Sequence, residues 1–499
     1  MAKFKTYSIE QGELVPIYLG DWIPEDHLVR VVSDIVDQLD LTVITAKYSV
    51  RGEEAFHPAL LLKVLFYGYA TGVFSSRKLR KALFEILPFR WLCGSGDKPD
   101  HRTISDFRKD NLTVLPGMFR QIVQIASELG YVSLGHVSID GSKMKADASK
   151  HKAMSRERMK QEIEKMEQEI AATLQQAQEE DRDEEEHPDQ CPPSVNRQLN
   201  DRQQRLEKIK DALRQLEERQ PAKDSRHPEK DQINFTDPDS RIMETKTQGV
   251  IQGYNPQIAV EEDHHLIVGL AMSSSASDQK QFEGVLASVE AYTGSMPETV
   301  TADAGYFSAE NIGTAESAAV DAYIAAKREG KQAKNPYDKT NFTYHPENDT
   351  YTCPASQSLA LKQTQHEKDP DQVTKWVYES QACSGCPFQS ECVKAKSGQR
   401  TITRSEADPV REAMRTKVQS DEGKAIYRKR KGIVEPAWGE MKEVQGFRQF
   451  SLRGKAKVEG EFILLALSYN LRKIHAAKYP KQATLYKRER AAQKEKLTA

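Results

Sequence analysis

The chain has 499 residues, more than one ordinary domain holds, and at roughly 100–200 residues each, two to four domains are expected. With 38% hydrophobic and 29% charged residues it is too apolar and too varied to be a disordered chain. The formal net charge of −2 (72 Lys+Arg against 74 Asp+Glu) argues, as an average, against a nucleic-acid protein, whose domains usually carry a basic excess.

The opening residues, MAKFKTYSIEQGE, lack the apolar core of a signal peptide. The apolar stretches 60–74 and 462–471 fall short of the roughly 20 residues that a membrane span needs. Six cysteines make no disulfide framework, so a cytoplasmic protein without membrane contact is expected.

Residues 1–130 read as a helical domain. His57-Pro58 opens an apolar helix carrying Leu60, Leu61, Val64, Leu65, Tyr67 and Tyr69, with proline near its start. Ser75/Ser76 cap a helix over 75–86, and 101–111 forms another, with Thr103 and Asp106 as a weak capping box. Arg77, Lys78, Arg80, Lys81, Arg102, Arg108 and Lys109 on such short helices suit a helix-turn-helix-like DNA-binding module. An ordinary helical domain with a solvated basic face is the alternative.

Residues 131–150 hold one strand, 136–140, which ends in Asp-Gly. Residues 151–235 then carry two heptad seams, Met159, Ile163, Met166, Ile170 and Leu206, Ile209, Leu213, Leu216. Between them the run EEDRDEEEHPDQCPP (179–193) is expected to break the helix. The segment reads as an inserted coiled-coil hairpin, either a dimerisation or DNA-bracing arm or a passive insertion. In 236–330 the strands 254–261 and 265–272 form a hairpin, a helix covers 279–292, and strands follow at 299–303 and 321–326.

Residues 331–405 are polar and lose the α/β rhythm. They contain Cys353, Cys383, Cys386 and Cys392 in the pattern C-x29-C-x2-C-x5-C. Such a set suits a structural Zn²⁺ in a tetrahedral knuckle. Reduced unligated thiols and a redox pair are the alternatives, and Cys93 and Cys191 stand apart. Residues 406–476 hold helices at 425–448 and 459–476, and 477–499 form a basic tail.

Three carboxylates stand where a scaffold could aim them. Asp140 and Asp303 end strands, each with glycine within two residues, and Glu435 lies on a helix beside the basic run 427–431. A carboxylate trio suits hard divalent cations, and two such ions can drive phosphodiester chemistry.

Together with FHPALLLKVLFYGYATGVFSSRKL, HRTISDFR, DGSK, ADAGY and RKRKGIVEPAWGEMKEVQGFRQFSLRGKAKVEGEF, these residues identify a resemblance. The chain resembles a DDE transposase of a bacterial insertion sequence, in the broad IS-four superfamily and nearest its eleven-eighty-two group. Glu435-x6-Lys442 matches the motif Y-x2-R-x3-E-x6-K, whose Tyr and Arg positions fall on Arg428 and Lys431, with Tyr427 and Arg430 one residue early. Glu440 competes for the third carboxylate but lacks the motif spacing.

The resemblance implies an α/β multidomain protein. Its ribonuclease H-like mixed-sheet catalytic domain would carry a helical N-terminal DNA-binding domain, the coiled-coil hairpin and the small Cys-rich insertion. It implies two Mg²⁺ (or Mn²⁺) ions held by Asp140, Asp303 and Glu435, with Lys442 on a DNA phosphate. Arg428, Lys429, Arg430 and Lys431 then suit contacts to the DNA backbone. The activity implied is cleavage at element ends followed by 3′-hydroxyl strand transfer into target DNA. The expected partners are double-stranded DNA and a second copy of the chain when DNA-bound, in a bacterial, nucleoid-associated setting. A transposase-derived DNA-binding protein without catalysis is the alternative. The near-zero net charge then reads as polarity between an acidic block at 179–186 and basic blocks at 77–81, 428–431 and beyond 471.

Overall fold

The computed structural model describes residues 18–48, 54–94, 96–186, 195–219, 228–245, 248–326, 336–365 and 374–480. The opening residues 1–13, Cys191 and the tail from 481 onward lie outside them.

The N-terminal helices are α1 (Leu28–Asp37), α2 (Pro58–Ala70), α3 (Ser76–Glu85), α4 (Leu87–Cys93), α5 (His101–Asp110) and α6 (Leu115–Glu128). Pro58 stands in the first turn of α2, and His57 Nδ1 accepts the Ala59 N–H at 3.2 Å. Ser75 precedes α3 in extended conformation but makes no side-chain cap bond. The cap of α5 differs from the Thr103/Asp106 box: Asp100 accepts the Thr103 N–H at 2.7 Å. An aspartate in extended conformation just ahead of the helix outcompetes a residue inside its first turn.

The central sheet has the order β3-β2-β1-β4-β5, with β1 (His136–Gly141), β2 (Gly249–Glu261), β3 (Ile267–Ser273), β4 (Thr299–Ala302) and β5 (Asp321–Ile324). β1, β4 and β5 run parallel, while β2 is antiparallel to both its neighbours. Short strands Met144–Lys145 and Arg241–Thr245 pair with the first half of β2.

Alternating residues of the strands enter two cores. Ile258, Val260, Ile267 and Leu270 belong to one that includes the N-terminal helices. Val137, Ile139, Ala259, Val268 and Val300 face the other, under α9 (Phe282–Thr293), α10 (Ala309–Ser317) and Met414 of α11 (Asp408–Gln419). After α11 come α12 (Asp421–Gly439) and α13 (Lys455–Lys478).

α13 is buried along most of its length and joins α2, α6 and β3 into the first core. Buried polar groups on it are all engaged. Asn470 brackets Ile267 with two 2.8 Å hydrogen bonds, and Glu461 accepts the backbone N–H groups of Ser451 and Leu452. The N-terminal helices therefore share a core with the end of the chain.

Two segments leave this body. These include α7 (Arg156–Glu186) and α8 (Val195–Glu218), which pack antiparallel through Met159, Met166, Ile209, Ala212 and Leu216. The acidic run does not stop the first helix at 179, since it continues to Glu186. Glutamate is a good helix former, and the prolines of the run lie only beyond it. Between β5 and α11, the polar stretch folds into an antiparallel sheet of Thr343–His345, Thr350–Thr352, Ser358–Gln365, Lys375–Glu379 and Thr401–Ser405. Its core is small and largely aromatic: Phe342, Tyr351, Leu359, Tyr378 and Ile402.

Candidate active site

Parallel pairing of β1 and β4 matches Ile139 with Ala302. Asp140 and Asp303 follow these partners directly, so they stand side by side at the C-terminal edge of adjacent strands. A third aspartate joins them. Asp278, on the loop after β3, accepts hydrogen bonds at Oδ1 from Asn255 Nδ2 (2.7 Å) and Gln257 Nε2 (2.9 Å) of β2. Burial first, and then the neighbouring charges of Asp303 and Asp278, push the Asp140 carboxyl up to about 7, although Arg430 opposes them.

α12 crosses this edge, packing on β1, β2 and β4. It delivers Arg430, whose Nη1 lies 3.8 Å from Asp140 Oδ1 and whose side chain is only 9% exposed. Nε and Nη1 of Arg430 are buried without a hydrogen-bond partner among the described residues. Arg430 thus differs from its exposed neighbours: position 430 turns its side chain inward, toward the carboxylate edge. Lys429 is exposed and pairs with Glu262 at 2.9 Å, while Arg428 and Lys431 are exposed and make no ion pair among the described residues.

Glu435 is exposed on α12 and makes no hydrogen bond or ion pair among the described residues. Pro436, next to it, interrupts the helical hydrogen-bond ladder there. Glu440 is spoken for: burial raises its pKa, but Lys473 (2.7 Å) and Arg472 (2.8 Å) override this and hold it below the ordinary range. It sits in a cation clamp made by two residues of α13.

Beyond Gly439 the helix widens into a π turn, Glu440–Val444, closed by the Gln445 N–H on Glu440 O at 2.9 Å. The expected straight helix from Glu435 to Lys442 thus gains a wide turn, of a kind that favours functional sites. Lys442 donates from this turn to Ser142 Oγ, two residues past Asp140. Burial lowers its pKa, and Asp140 draws it back up.

Arg77, Lys78, Arg80 and Lys81 are exposed along α3, and Arg102 is exposed on α5. Arg108 departs from the expected DNA-binding row. Its Nη1 donates to Tyr69 Oη and Phe74 O, both at 3.1 Å, because the apolar side of α5 packs toward α2.

In the Cys-rich sheet, Cys353, Cys383, Cys386 and Cys392 line one cavity. The Gln357 N–H points at Cys353 Sγ (3.2 Å) and the Arg400 N–H at Cys383 Sγ (3.4 Å). Both turns carry a residue of positive φ, Ser356 and Gly385. Burial raises the Cys392 thiol, and Cys383, Cys353 and Cys386 add to it against Arg400.

Among the described residues no three His, Cys, Asp or Glu side chains converge tightly enough to hold an ion as they stand. The donors fit the two metals by type: oxygen only at the strand ends, sulfur only in the sheet.

Asp278 and Ser142 carry no signal in the sequence. The serine-rich stretch 273–277 reads as an exposed loop, and only the pairing of β2 and β3 brings its end to Asp140.

Residues 352–475 match the family model described as a transposase DDE domain, and residues 17–110 match a transposase domain (DUF772). No curated protein matches the chain. The two matches support a DDE transposase, and the mixed α/β fold with its helical N-terminal region fits one. Such a domain implies an enzyme of the nuclease or strand-transferase kind acting on DNA. No helix among the described residues is long and apolar enough to cross a membrane.

Proposed function

We propose that the chain is an active transposase of the IS-four superfamily, nearest the eleven-eighty-two group, that binds the ends of a mobile element, cleaves them and joins the 3′-hydroxyl to target DNA. The observation that carries this is the shared strand edge of Asp140 and Asp303, with Arg430 and Lys442 beside it. The strand order, with β1 between an antiparallel hairpin and two parallel strands, supports a ribonuclease H-like catalytic domain.

Asp140, Asp303 and Glu435 would hold two Mg²⁺ or Mn²⁺ ions. When bound, these would activate water and then the 3′-hydroxyl and offset charge on the leaving oxygen. Glu435 is exposed and unpaired among the described residues, and it would have to reach the edge when the ions bind. Lys442 would hold a DNA phosphate as a point charge, with Ser142 positioning its ammonium. The unsatisfied guanidinium edge of Arg430 would take an approaching phosphate oxygen. Arg428, Lys429 and Lys431 would follow the DNA backbone beyond the cut, and Arg77, Lys78, Arg80, Lys81 and Arg102 would bind another stretch of duplex.

The packed helices at 156–218 would act as a coiled-coil arm, and a homodimer would bring two element ends together. Cys353, Cys383, Cys386 and Cys392 would bind a structural Zn²⁺, a reading that backbone N–H donors at two of the sulfurs support.

The decisive experiment incubates the protein with Mg²⁺ and duplexes bearing candidate element ends. Nicks with 3′-hydroxyl termini are expected, and Asp140→Asn and Asp303→Asn should abolish them while DNA binding persists. Variants that nick as well as the wild type would sink the assignment.

A further inference from the structure

We propose that a cationic strip made by residues 145–152 and 453–457 seats the target duplex, on the far side of Asp140 from the α12 cations. The inference rests on the strand-transfer reading and adds a surface for the second DNA that such a reaction needs.

Register along β2 orders the surface. Glu262, which holds Lys429 of α12 at 2.9 Å, directly follows the last residue of β2. Asp140 sits opposite Ile258, and Lys145 sits opposite Gly253, further from Glu262 along the same strand. At about 3.4 Å per residue, Lys145 stands roughly 17 Å beyond Asp140. Lys429 and Lys145 thus lie on opposite sides of the carboxylate edge, so two duplexes can converge there.

Two segments distant in sequence build the strip. Gln449 pairs with Lys145, and its Nε2 donates to Ala146 O at 3.1 Å. The Phe450 N–H donates to Lys145 O at 2.9 Å, and Arg453 Nε donates to Asp147 Oδ2 at 2.8 Å. The stretch after α8 closes the far end. Asn234 Nδ2 donates to Ser149 O at 2.7 Å and the Phe235 N–H to Lys152 O at 3.0 Å, while fully buried Asp237 accepts the Gly454 N–H at 3.1 Å. Lys145, Lys150, Lys152, Arg453, Lys455 and Lys457 are all exposed on this frame. Of the six, only Arg453 makes an ion pair among the described residues.

Lys455 and Lys457 run against what α13 itself favours. They stand in its first turn, where the helix dipole disfavours cations and no acidic residue of that turn offsets them. Asp239 accepts the Lys455 N–H at 2.9 Å, so the helix end is capped through its backbone while both lysine side chains stay exposed. Cations that burden their own helix, set beside three more exposed lysines, fit a polyanion from outside. Lysines hold phosphates as point charges and read no bases. That suits a target duplex taken regardless of sequence, rather than an element end that has to be recognised.

The test uses the full chain, a candidate element end in uncut and pre-cut forms, and a plasmid lacking such ends. Lys150→Ala/Lys152→Ala and Lys455→Ala/Lys457→Ala should each weaken metal-free plasmid binding and flatten the slope of log affinity against log salt by about two. With Mg²⁺, joining of pre-cut ends into the plasmid should fall about tenfold or more, while nicking of uncut ends, which needs no target, should continue. Melting of Lys455→Ala/Lys457→Ala should match or exceed that of the wild type, because the clash with the helix dipole is gone. Wild-type joining and wild-type salt slopes in both variants overturn the proposal and leave the carboxylate site standing. Equal losses of nicking and joining overturn it as well, since the strip would then follow the element end. If the wild type neither nicks nor joins, the strand-transfer reading falls and takes the inference with it.

Discussion

Asp140 is a charged group placed where charge is disfavoured, and its carboxyl rises to about 7 chiefly through burial. Since its folded pKa exceeds the unfolded value, the stability it contributes is full below about pH 4 and is lost as pH rises through 7. The loss amounts to at most about 4 kcal/mol at 1.36 kcal/mol per pKa unit. In EDTA, Asp140→Asn should therefore melt above the wild type at pH 8 and together with it at pH 4. Equal melting at both values, by scanning calorimetry, would remove the strain from this residue. Arg108 makes the opposite case: Arg108→Ala should cost roughly 1–3 kcal/mol through lost buried hydrogen bonds, whereas exposed Arg102→Ala should change stability by no more than about 0.5 kcal/mol. Comparable denaturant midpoints for the two would contradict the inward role of Arg108. The strand-end positions of Asp140 and Asp303 were legible in the sequence, because at each a run of alternation ends in Asp with glycine within two residues. The direction of Arg430 and Arg108 was not, since one residue of helical phase decides between solvent and core.

α12 and the π turn after it carry the site's cations, and the turn sets where Lys442 points. Arg428→Ala and Lys431→Ala should each weaken DNA binding and reduce the slope of log affinity against log salt by about one. The same titration on Arg77→Ala and Lys81→Ala tests α3, and unchanged slopes for all four would place the DNA elsewhere. In the Cys-rich sheet, protein purified without chelator should carry one zinc per chain, and Cys386→Ser should lose it and expose the sheet to proteolysis. Elemental analysis finding no zinc in the wild type ends that idea. The hairpin of β2 and β3 and the helices α2, α5 and α9 were readable from alternation and helical period. The Cys-rich sheet was not. Its strands are short, its outer positions polar, and its core rests on a few aromatics, so no run of alternation is long enough to stand out.

Across the whole molecule, α13 ties the sheet to the N-terminal helices. Leu465→Ala or Leu467→Ala should cost about 2–5 kcal/mol, because each leaves a cavity in a fully buried position. The loss should appear in a single transition that reports the sheet and the N-terminal helices together. Two well-separated transitions would mean that these parts fold apart. Backbone ties across the chain strengthen this expectation: Arg472 Nη1 donates to Ala70 O at 3.0 Å, His475 Nε2 lies 2.7 Å from Asp26 O, and Gln445 donates to Tyr69 O at 3.0 Å. The arrangement has a consequence in time. Helices α1 to α6 leave the ribosome first, yet the partner that completes their core is made last among the described elements. At about 5–20 residues per second, they would wait on the order of half a minute for it. During synthesis their apolar faces would stay uncovered and their basic surface unformed, so an unfinished chain should hold no grip on DNA until translation has passed α13.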